Sequence, residues 1–174
     1  PHISRFYSAG NSWQGLPLIA LKISDNPMVD EMEPAVCFNG ATHAREPMGT
    51  TLCIDYIKYL LTNYATDSLV RWFVDNREIY FIPVMNPDGY RYNSDSGGAT
   101  ANHRKNRRLY SGQDATTAGV DLNRNYGYKW GYDNTGSSPF VTSETYRGPS
   151  RFSEIETRNA RDFFLPKKIR TQID

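Results

Sequence analysis

The chain has 174 residues, which is enough for one domain with a hydrophobic core. Apolar residues make up 39% and charged residues 22%, values that are ordinary for a globular protein, and a formal net charge of +1 gives no reason to expect nucleic acid or an acidic membrane surface as a partner. We find neither an apolar run long enough to cross a bilayer nor the pattern of a signal peptide.

The first half of the chain alternates between predicted strands and predicted helices. Apolar and branched residues predict strands at 16–24, 34–41 and 77–85. Apolar residues recurring on one face predict a helix over 48–65, and a shorter helix follows Asp67, which has the right side chain for an N-cap. Because the links between these elements are short, we expect an α/β fold with a mixed central sheet flanked by helices.

The two cysteines are interpreted as structural residues. Cys37 falls in a strand-like run and Cys53 in a helix-like run, and they do not have C-x-x-C spacing. The favoured interpretation is two small buried hydrophobic residues, and the alternative is a disulfide between them.

The stretch over 86–150 differs from the rest in having few apolar runs and many Gly, Asn, Ser, Tyr and Arg residues. Loops of this length in compact domains usually serve function, so functional residues are expected here, and "NPDGY" at 86–90 reads as a turn. A helix is then predicted to restart at "FSEIETRNARDFF", with Ser153 and Glu156 as a capping box, and a further strand is expected to begin at Ile169.

A polar cluster stands directly after the second predicted strand. His43 and Glu46 lie three residues apart, with Arg45 between them, and an imidazole and a carboxylate at this spacing can converge on one point. Zinc accepts both ligand types. The residues alone leave a second interpretation open, a solvated loop in which Arg45 pairs with Glu46.

Four further motifs narrow these interpretations. With H-A-R-E, the chain carries N-P-D-G, H-R-K-N-R, D-L-N-R-N and S-E-T-Y-R-G in one order, between about Tyr7 and Phe164. In this it resembles the zinc metallocarboxypeptidases of the carboxypeptidase A type, and "DNREIYFI" and "DLNRNYGYKWG" make it most similar to the bacterial branch represented by carboxypeptidase T. The resemblance implies a secreted, zinc-dependent exopeptidase that removes the C-terminal residue of peptides or proteins.

The resemblance also implies roles for individual residues. His43 and Glu46 match two zinc ligands, and Asp121 matches the acid that hydrogen-bonds the first zinc histidine. Arg104 matches the arginine that stabilises the oxyanion in the reaction. The residues that match substrate contacts, namely the grip on the terminal carboxylate and one outer position, are Asn123, Arg124 and Arg45.

Other charged residues receive weaker interpretations. Lys105 and Arg108 are expected to be a solvated basic surface, whereas His103 is expected to be a packing or surface residue and His2 no ligand. The acidic turn "DEMEP" resembles a calcium-binding turn of the carboxypeptidase T branch, or else is an ordinary solvated turn. The residues of that candidate calcium site are Asp30, Glu31 and Glu33.

The chain departs from the family pattern at its C-terminal side. The family's third zinc ligand, its general-base glutamate and the tyrosine that covers bound substrate have no counterpart within 1–174. We therefore expect residues 1–174 to be an incomplete catalytic domain that binds zinc weakly and hydrolyses little on its own. The alternatives are a non-catalytic carboxylate-binding module and an amidase or deacylase on the same scaffold.

Overall fold

The computed structural model describes residues 2–97 and 101–174. It contains five strands, four α-helices and two short 3-10 turns among these residues, and the turns lie at Leu122–Arg124 and Leu165–Lys167. The strands are β1 (Ser4–Asn11), β2 (Pro17–Ile23), β3 (Ala35–Asn39), β4 (Glu78–Ile82) and β5 (Ile169–Ile173). The helices are α1 (Met48–Asn63), α2 (Ser68–Asn76), α3 (Pro87–Ser96) and α4 (Ile155–Phe164).

The strands form one mixed sheet in the order β1-β2-β4-β3-β5. β1, β2 and β4 pair antiparallel, whereas β3 runs parallel to both of its neighbours, β4 and β5. This confirms the predicted α/β class with a mixed central sheet. The polar residues that follow β3 and β4 therefore leave the sheet at the same edge, where open α/β sheets place ligands.

Helices cover both faces of the sheet because the strand residues alternate between two apolar clusters. One cluster packs Cys37 and Tyr80 against Ala160 and Phe163 of α4. The other packs the opposite strand faces against α1 and α2, through Cys53, Leu60, Val70 and Val74. Both cysteines are buried and free, so the interpretation of Cys37 and Cys53 as small core residues is confirmed and the disulfide alternative is wrong.

The segment after β3 turns sharply into α1. A Cβ on Gly40 would come within 2.6 Å of the carbonyl oxygen of Pro83 and 2.7 Å of the backbone of Gly49, so only glycine fits there. Ala41 follows with φ at 47°, in the left-handed region that side chains other than glycine rarely adopt. The sheet and the first turn of α1 together fix where the next residues, Thr42 and His43, leave the strand.

Three local predictions need correction. The predicted strands do not include β1, because it is a largely exposed edge strand whose residues alternate only weakly between buried and exposed positions. "NPDGY" begins helix α3 instead of forming a turn, because the Asn86 side chain accepts a hydrogen bond from the Gly89 N–H and Pro87 occupies the first turn. Ser153 and Glu156 do not form a capping box. α4 has no side-chain cap, and the Glu156 carboxylate accepts instead from the Trp13 N–H.

Two other predictions about helices and strands are confirmed. Asp67 caps α2 by accepting hydrogen bonds from the backbone N–H groups of Leu69 and Val70 at 2.8 and 3.2 Å. A strand does begin at Ile169. Among the helices that the structure describes, no segment has the length and apolar character needed to cross a membrane.

Candidate metal centre

His43 and Glu46 meet at the turn between β3 and α1. The turn is closed by a hydrogen bond from the Glu46 N–H to the His43 carbonyl at 3.0 Å. His43 Nδ1 lies 3.0 Å from Glu46 Oε2. The His43 side chain is 11% exposed and the Glu46 side chain 57% exposed. The imidazole is therefore held by the protein, whereas the carboxylate is open to solvent.

Asp121 fixes the orientation of the imidazole. Its Oδ1 lies 3.1 Å from His43 Nε2, and the carboxylate is fully buried at the start of the turn Leu122–Arg124. Burial alone would raise the pKa of Asp121, but hydrogen bonds from His43 and the Arg104 charge hold that pKa below its ordinary value. An ionised Asp121 accepts a hydrogen bond from the Nε2–H, which leaves Nδ1 facing Glu46.

The donor set fits a zinc ion. Zinc takes imidazole nitrogen and carboxylate oxygen, and a histidine that binds it usually donates its other ring N–H to a carboxylate, as His43 does to Asp121. Burial tends to lower the pKa of His43, but the hydrogen bonds with Asp121 and Glu46 outweigh it and raise the pKa. A proton on the imidazole is therefore stabilised by the two carboxylates, and a metal ion bound at Nδ1 would have to displace it.

Arg104 joins the same cluster through Asp121. Its Nε and Nη2 donate to Asp121 Oδ2 at 3.1 and 2.9 Å. Its Nη1 lies 3.6 Å from Glu46 Oε1. The guanidinium is thus held on its inner edge by a buried carboxylate while its outer nitrogen faces the His43–Glu46 pair.

Asn123 and Arg124 lie two and three residues after Asp121 and line an open cleft of about 450 Å³. The Asn123 N–H donates to Asp121 Oδ1 at 3.0 Å, and its side chain is exposed. The Arg124 guanidinium donates from Nε to the Gly136 carbonyl at 2.6 Å and from Nη1 to the Asn123 carbonyl at 3.1 Å. Both residues are thus tied to Asp121 through the turn Leu122–Arg124, which Asp121 caps.

Arg45 points away from its neighbour Glu46. Its Nη1 lies 3.1 Å from Glu144 Oε2 and 3.3 Å from both oxygens of Asn102. The alternative in which Arg45 pairs with Glu46 is therefore wrong. Glu144 belongs to the S-E-T-Y-R-G motif, so the structure brings that motif to the edge of the site.

Residues 1–174, the whole chain, match the family model described as zinc carboxypeptidase. The chain belongs to the zinc carboxypeptidase family. It is 44% identical over 131 residues to a zinc carboxypeptidase of Saccharothrix mutabilis subsp. capreolus, a match that covers 75% of this chain and 29% of that protein. It is 36% identical over 160 residues to metallocarboxypeptidase A of Trichophyton tonsurans, which covers 90% of this chain and 36% of that protein.

Two further comparisons, with a curated relative and with a solved structure, support the same family. The chain is 30% identical over 158 residues to a protein of Ajellomyces capsulatus named inactive metallocarboxypeptidase ECM14, covering 90% of this chain and 25% of that one. Its fold matches carboxypeptidase A from Helicoverpa armigera with a TM-score of 0.78 at 30% identity, covering 99% of this chain and 40% of that one. The chain thus spans between 25% and 36% of the length of the curated relatives named here.

Within this zinc carboxypeptidase chain, the interpretation of Lys105 and Arg108 as a solvated surface is wrong. Lys105 is fully buried, and its Nζ donates to the carbonyls of Thr117, Val141 and Ser143 at 2.6 to 3.3 Å. Three loop carbonyls take the place of water around its ammonium group. Arg108 lies over the Trp13 and Tyr110 rings and donates to the Ser153 carbonyl at 3.0 Å.

The two remaining histidines lie away from the His43–Glu46 pair. His103 is a packing residue, as predicted: its ring lies edge-on to Tyr92 and its Nε2 is 3.1 Å from the Asn106 carbonyl. His2 packs edge-on against Tyr64.

The acidic turn differs from the predicted candidate calcium site. Asp25, Glu31 and Glu33 have carboxylate oxygens within 4.8 Å of one another, so the group contains Asp25 and not the predicted Asp30. Burial raises the pKa of Glu33, and the neighbouring carboxylates of Glu31 and Asp25 raise it further. The family matches support zinc and give no support for calcium. The assignment to the carboxypeptidase T branch stays a prediction.

Proposed function

We propose that this chain carries the metal and carboxylate-binding half of a zinc-dependent exopeptidase that removes the C-terminal residue of peptides or proteins. The observation that carries the proposal is the convergence of four side chains from three separate segments. His43 Nδ1 meets Glu46, and one buried carboxylate, Asp121, orients both His43 and Arg104. Membership of the zinc carboxypeptidase family supports the same reading.

His43 and Glu46 are the residues that would hold the zinc ion. Zinc supplies a Lewis acid that polarises a carbonyl and lowers the pKa of a bound water. Arg104 faces this point with Nη1, while Asp121 accepts hydrogen bonds from its other two nitrogens, Nε and Nη2. In our proposal Nη1 donates to the oxygen of the scissile carbonyl as negative charge develops there, and Asp121 keeps the guanidinium oriented for this.

Asn123 and Arg124 bind the terminal carboxylate of the substrate in our proposal. An arginine at the wall of an open cleft suits this task, because its planar guanidinium offers two parallel N–H donors to a carboxylate. Arg45 is proposed to contact the substrate further from its C-terminus. It is 28% exposed, and its partner Glu144 is 54% exposed, so a ligand can compete for it.

We further propose that residues 1–174 alone bind zinc weakly and hydrolyse little. Two protein ligands are close together, and the other two histidines, His2 and His103, are engaged with Tyr64 and with Tyr92 and Asn106. A catalytic zinc site of this type uses three protein ligands. Secretion of the protein is proposed from the family resemblance only.

The metal assignment is tested by zinc binding to three proteins. We expect His43→Ala to lose the zinc-dependent response of the wild-type chain. His2→Ala is the matched control, since it removes an imidazole elsewhere in the fold, and it should bind zinc as the wild type does. Equal zinc affinity in His43→Ala and the wild type would overturn the assignment.

The substrate class is tested separately by the free C-terminus. Blocked peptides that end in a free carboxylate should bind the chain, and their amidated counterparts should bind much more weakly. A carboxylate-binding module without catalysis would give the same preference but no hydrolysis when the chain forms part of the full-length protein. An amidase or deacylase on this scaffold would treat both peptides alike, and that result would contradict the exopeptidase proposal.

A further inference from the structure

Two segments far apart in sequence must share one frame for the proposed site to exist. One is the turn from Ala41 to Glu46, which follows β3, and the other contains Arg104, which follows α3. The segments are joined by one backbone hydrogen bond, from the Ala44 N–H to the Arg104 carbonyl at 3.0 Å, and by side-chain contacts of Arg45 with Asn102 and of Arg104 with Glu46. Arg45 is 28% exposed and Glu46 57% exposed, so solvent can compete for these side-chain contacts.

Asn86 touches both segments. Its backbone N–H donates to the Ala41 carbonyl at 3.1 Å, directly at the left-handed residue of the metal-binding turn. Its side-chain Nδ2 donates to the Lys105 carbonyl at 3.0 Å and, at a longer 3.5 Å, to the Thr42 carbonyl. Asn86 is completely buried, so no solvent competes for these carbonyls.

Asn86 is also the N-cap of helix α3, and the first turn of this helix packs against both segments. Asn86 Oδ1 accepts from the Gly89 N–H at 3.0 Å and caps the helix. A Cβ on Gly89 would lie 2.6 Å from the Lys105 carbonyl oxygen and 2.7 Å from the Ala44 Cβ. The first turn of α3 therefore lies in close contact with both segments, and the Asn86 amide uses its oxygen for the helix and its nitrogen for the site.

We propose that Asn86 is a positioning residue that sets the Arg104 segment against the His43–Glu46 turn. The inference rests on the proposed function in that it assumes this turn holds zinc. Residues that orient metal ligands through hydrogen bonds typically change metal affinity by about 10- to 100-fold when they are altered. Loss of the Asn86 amide donor should fall in this range.

Asn86→Ser isolates the positioning role from the capping role. Serine is a good N-cap, so its hydroxyl can still accept from the Gly89 N–H, but it removes the donor to Lys105 and Thr42. Asp67→Ser is the matched control, because it makes the same kind of change at the cap of α2, where Asp67 holds Leu69 and Val70. Global stability of all proteins is measured first by urea denaturation.

Two site-specific signals are then recorded by NMR. Amide exchange at Ala44 reports the bond to the Arg104 carbonyl without any metal. Zinc-dependent shifts of the His43 imidazole nitrogens report affinity at the proposed site. After correction for global stability, we expect Asn86→Ser to exchange Ala44 at least about 10-fold faster than Asp67→Ser and to bind zinc at His43 about 10- to 100-fold more weakly.

The outcomes separate this proposal from the proposed function. Equal Ala44 exchange in Asn86→Ser and Asp67→Ser would overturn the role of Asn86, whatever the zinc result. If the His43 imidazole nitrogen shifts of the wild-type chain do not change when zinc is added, the metal assignment is overturned. The Ala44 exchange rates would still decide the role of Asn86. If Asn86→Ser does not fold, Asn86→Asp keeps the cap oxygen and removes the amide donor, and the same comparison applies.

Discussion

Replacing Asp121 with Asn should be the most damaging isosteric change in the candidate site. Asp121 is fully buried and accepts hydrogen bonds from His43, from two nitrogens of Arg104 and from the Asn123 N–H. Asparagine keeps the shape, but one of its two terminal atoms becomes a donor and the negative charge is lost. The Arg104 guanidinium, 13% exposed, then keeps Glu46 at 3.6 Å as its remaining carboxylate partner in the described cluster.

The expected cost follows from what remains around Arg104. Removing one partner of a buried ion pair typically costs about 3 to 5 kcal/mol, because the other charge is left uncompensated. Glu46 is 57% exposed and water screens its charge, so it compensates only part of this loss and the lower end, about 3 kcal/mol, is expected. With a urea m-value of about 2 kcal/mol/M, the unfolding midpoint should fall by roughly 1.5 M.

Urea denaturation followed by circular dichroism measures this loss. The matched control is Glu144→Gln, which removes the carboxylate partner of Arg45 in a pair whose side chains are 28% and 54% exposed. Such a pair contributes at most about 1 kcal/mol. A loss in Asp121→Asn no larger than that in Glu144→Gln would refute the view that buried Asp121 compensates Arg104.

Three further outcomes are expected. Lys22→Met should destabilise the fold by about 3 kcal/mol or more, measured by thermal unfolding, because Lys22 and Glu78 form an ion pair at 2.5 Å and both side chains are 1% exposed. Burial raises the pKa of Glu156, so the folded state holds this proton more tightly than the unfolded state, and stability falls as the pH rises from the unfolded pKa of about 4.3 towards the raised folded pKa; Glu156→Gln, which has no such proton to lose, should show a shallower fall over this range. Burial raises the pKa of the Cys53 thiol to about 11 and that of Cys37 further, so both thiols should resist a thiol reagent until urea unfolds the chain, and rapid native labelling would contradict their burial.

The strands and helices in the first half of the chain can be predicted well from the sequence, because burial in or against the sheet imposes a simple pattern of apolar residues. β4 is buried at all five positions, which matches its unbroken apolar run. The recurring apolar residues of α1 likewise mark the face that contacts the sheet, as buried Cys53 and Leu60 do, although Leu52 on the same helix is 62% exposed. Local pattern is informative wherever one face of an element meets a large apolar core.

The hydrophobic pattern does not predict burial where the buried side chains are polar. Lys105 and Glu156 are strongly polar, and a sequence reading places them at the surface by default, yet both are fully buried. Their partners are loop carbonyls and an amide many residues away, which no local window contains. α3 was missed for a related reason: Asn-Pro-Asp-Gly serves equally as a turn and as a helix N-terminus, and the contacts of Asn86 decide between them.

The convergence of the site itself was predictable only through the family resemblance. His43 and Asp121 are 78 residues apart, and their spacing carries no signal that they meet. The structure supplies the reason that D-L-N-R-N is contiguous. Asp121 Oδ1 receives both the His43 imidazole and the Asn123 N–H, so the residue that orients the metal ligand also starts the turn that presents Asn123 and Arg124.

That shared carboxylate couples the proposed metal site to the proposed carboxylate grip. If Asp121 shifts, the imidazole, the Arg104 guanidinium and the turn Leu122–Arg124 must shift with it, since all three are bonded to its two oxygens. In the proposed exopeptidase, the distance from the metal to the substrate carboxylate would then be set by Asp121 together with Asn123 and Arg124 of the turn that it caps. An exopeptidase that must place the last peptide bond of any substrate at its metal needs such a fixed distance, and a module that only bound carboxylates would not.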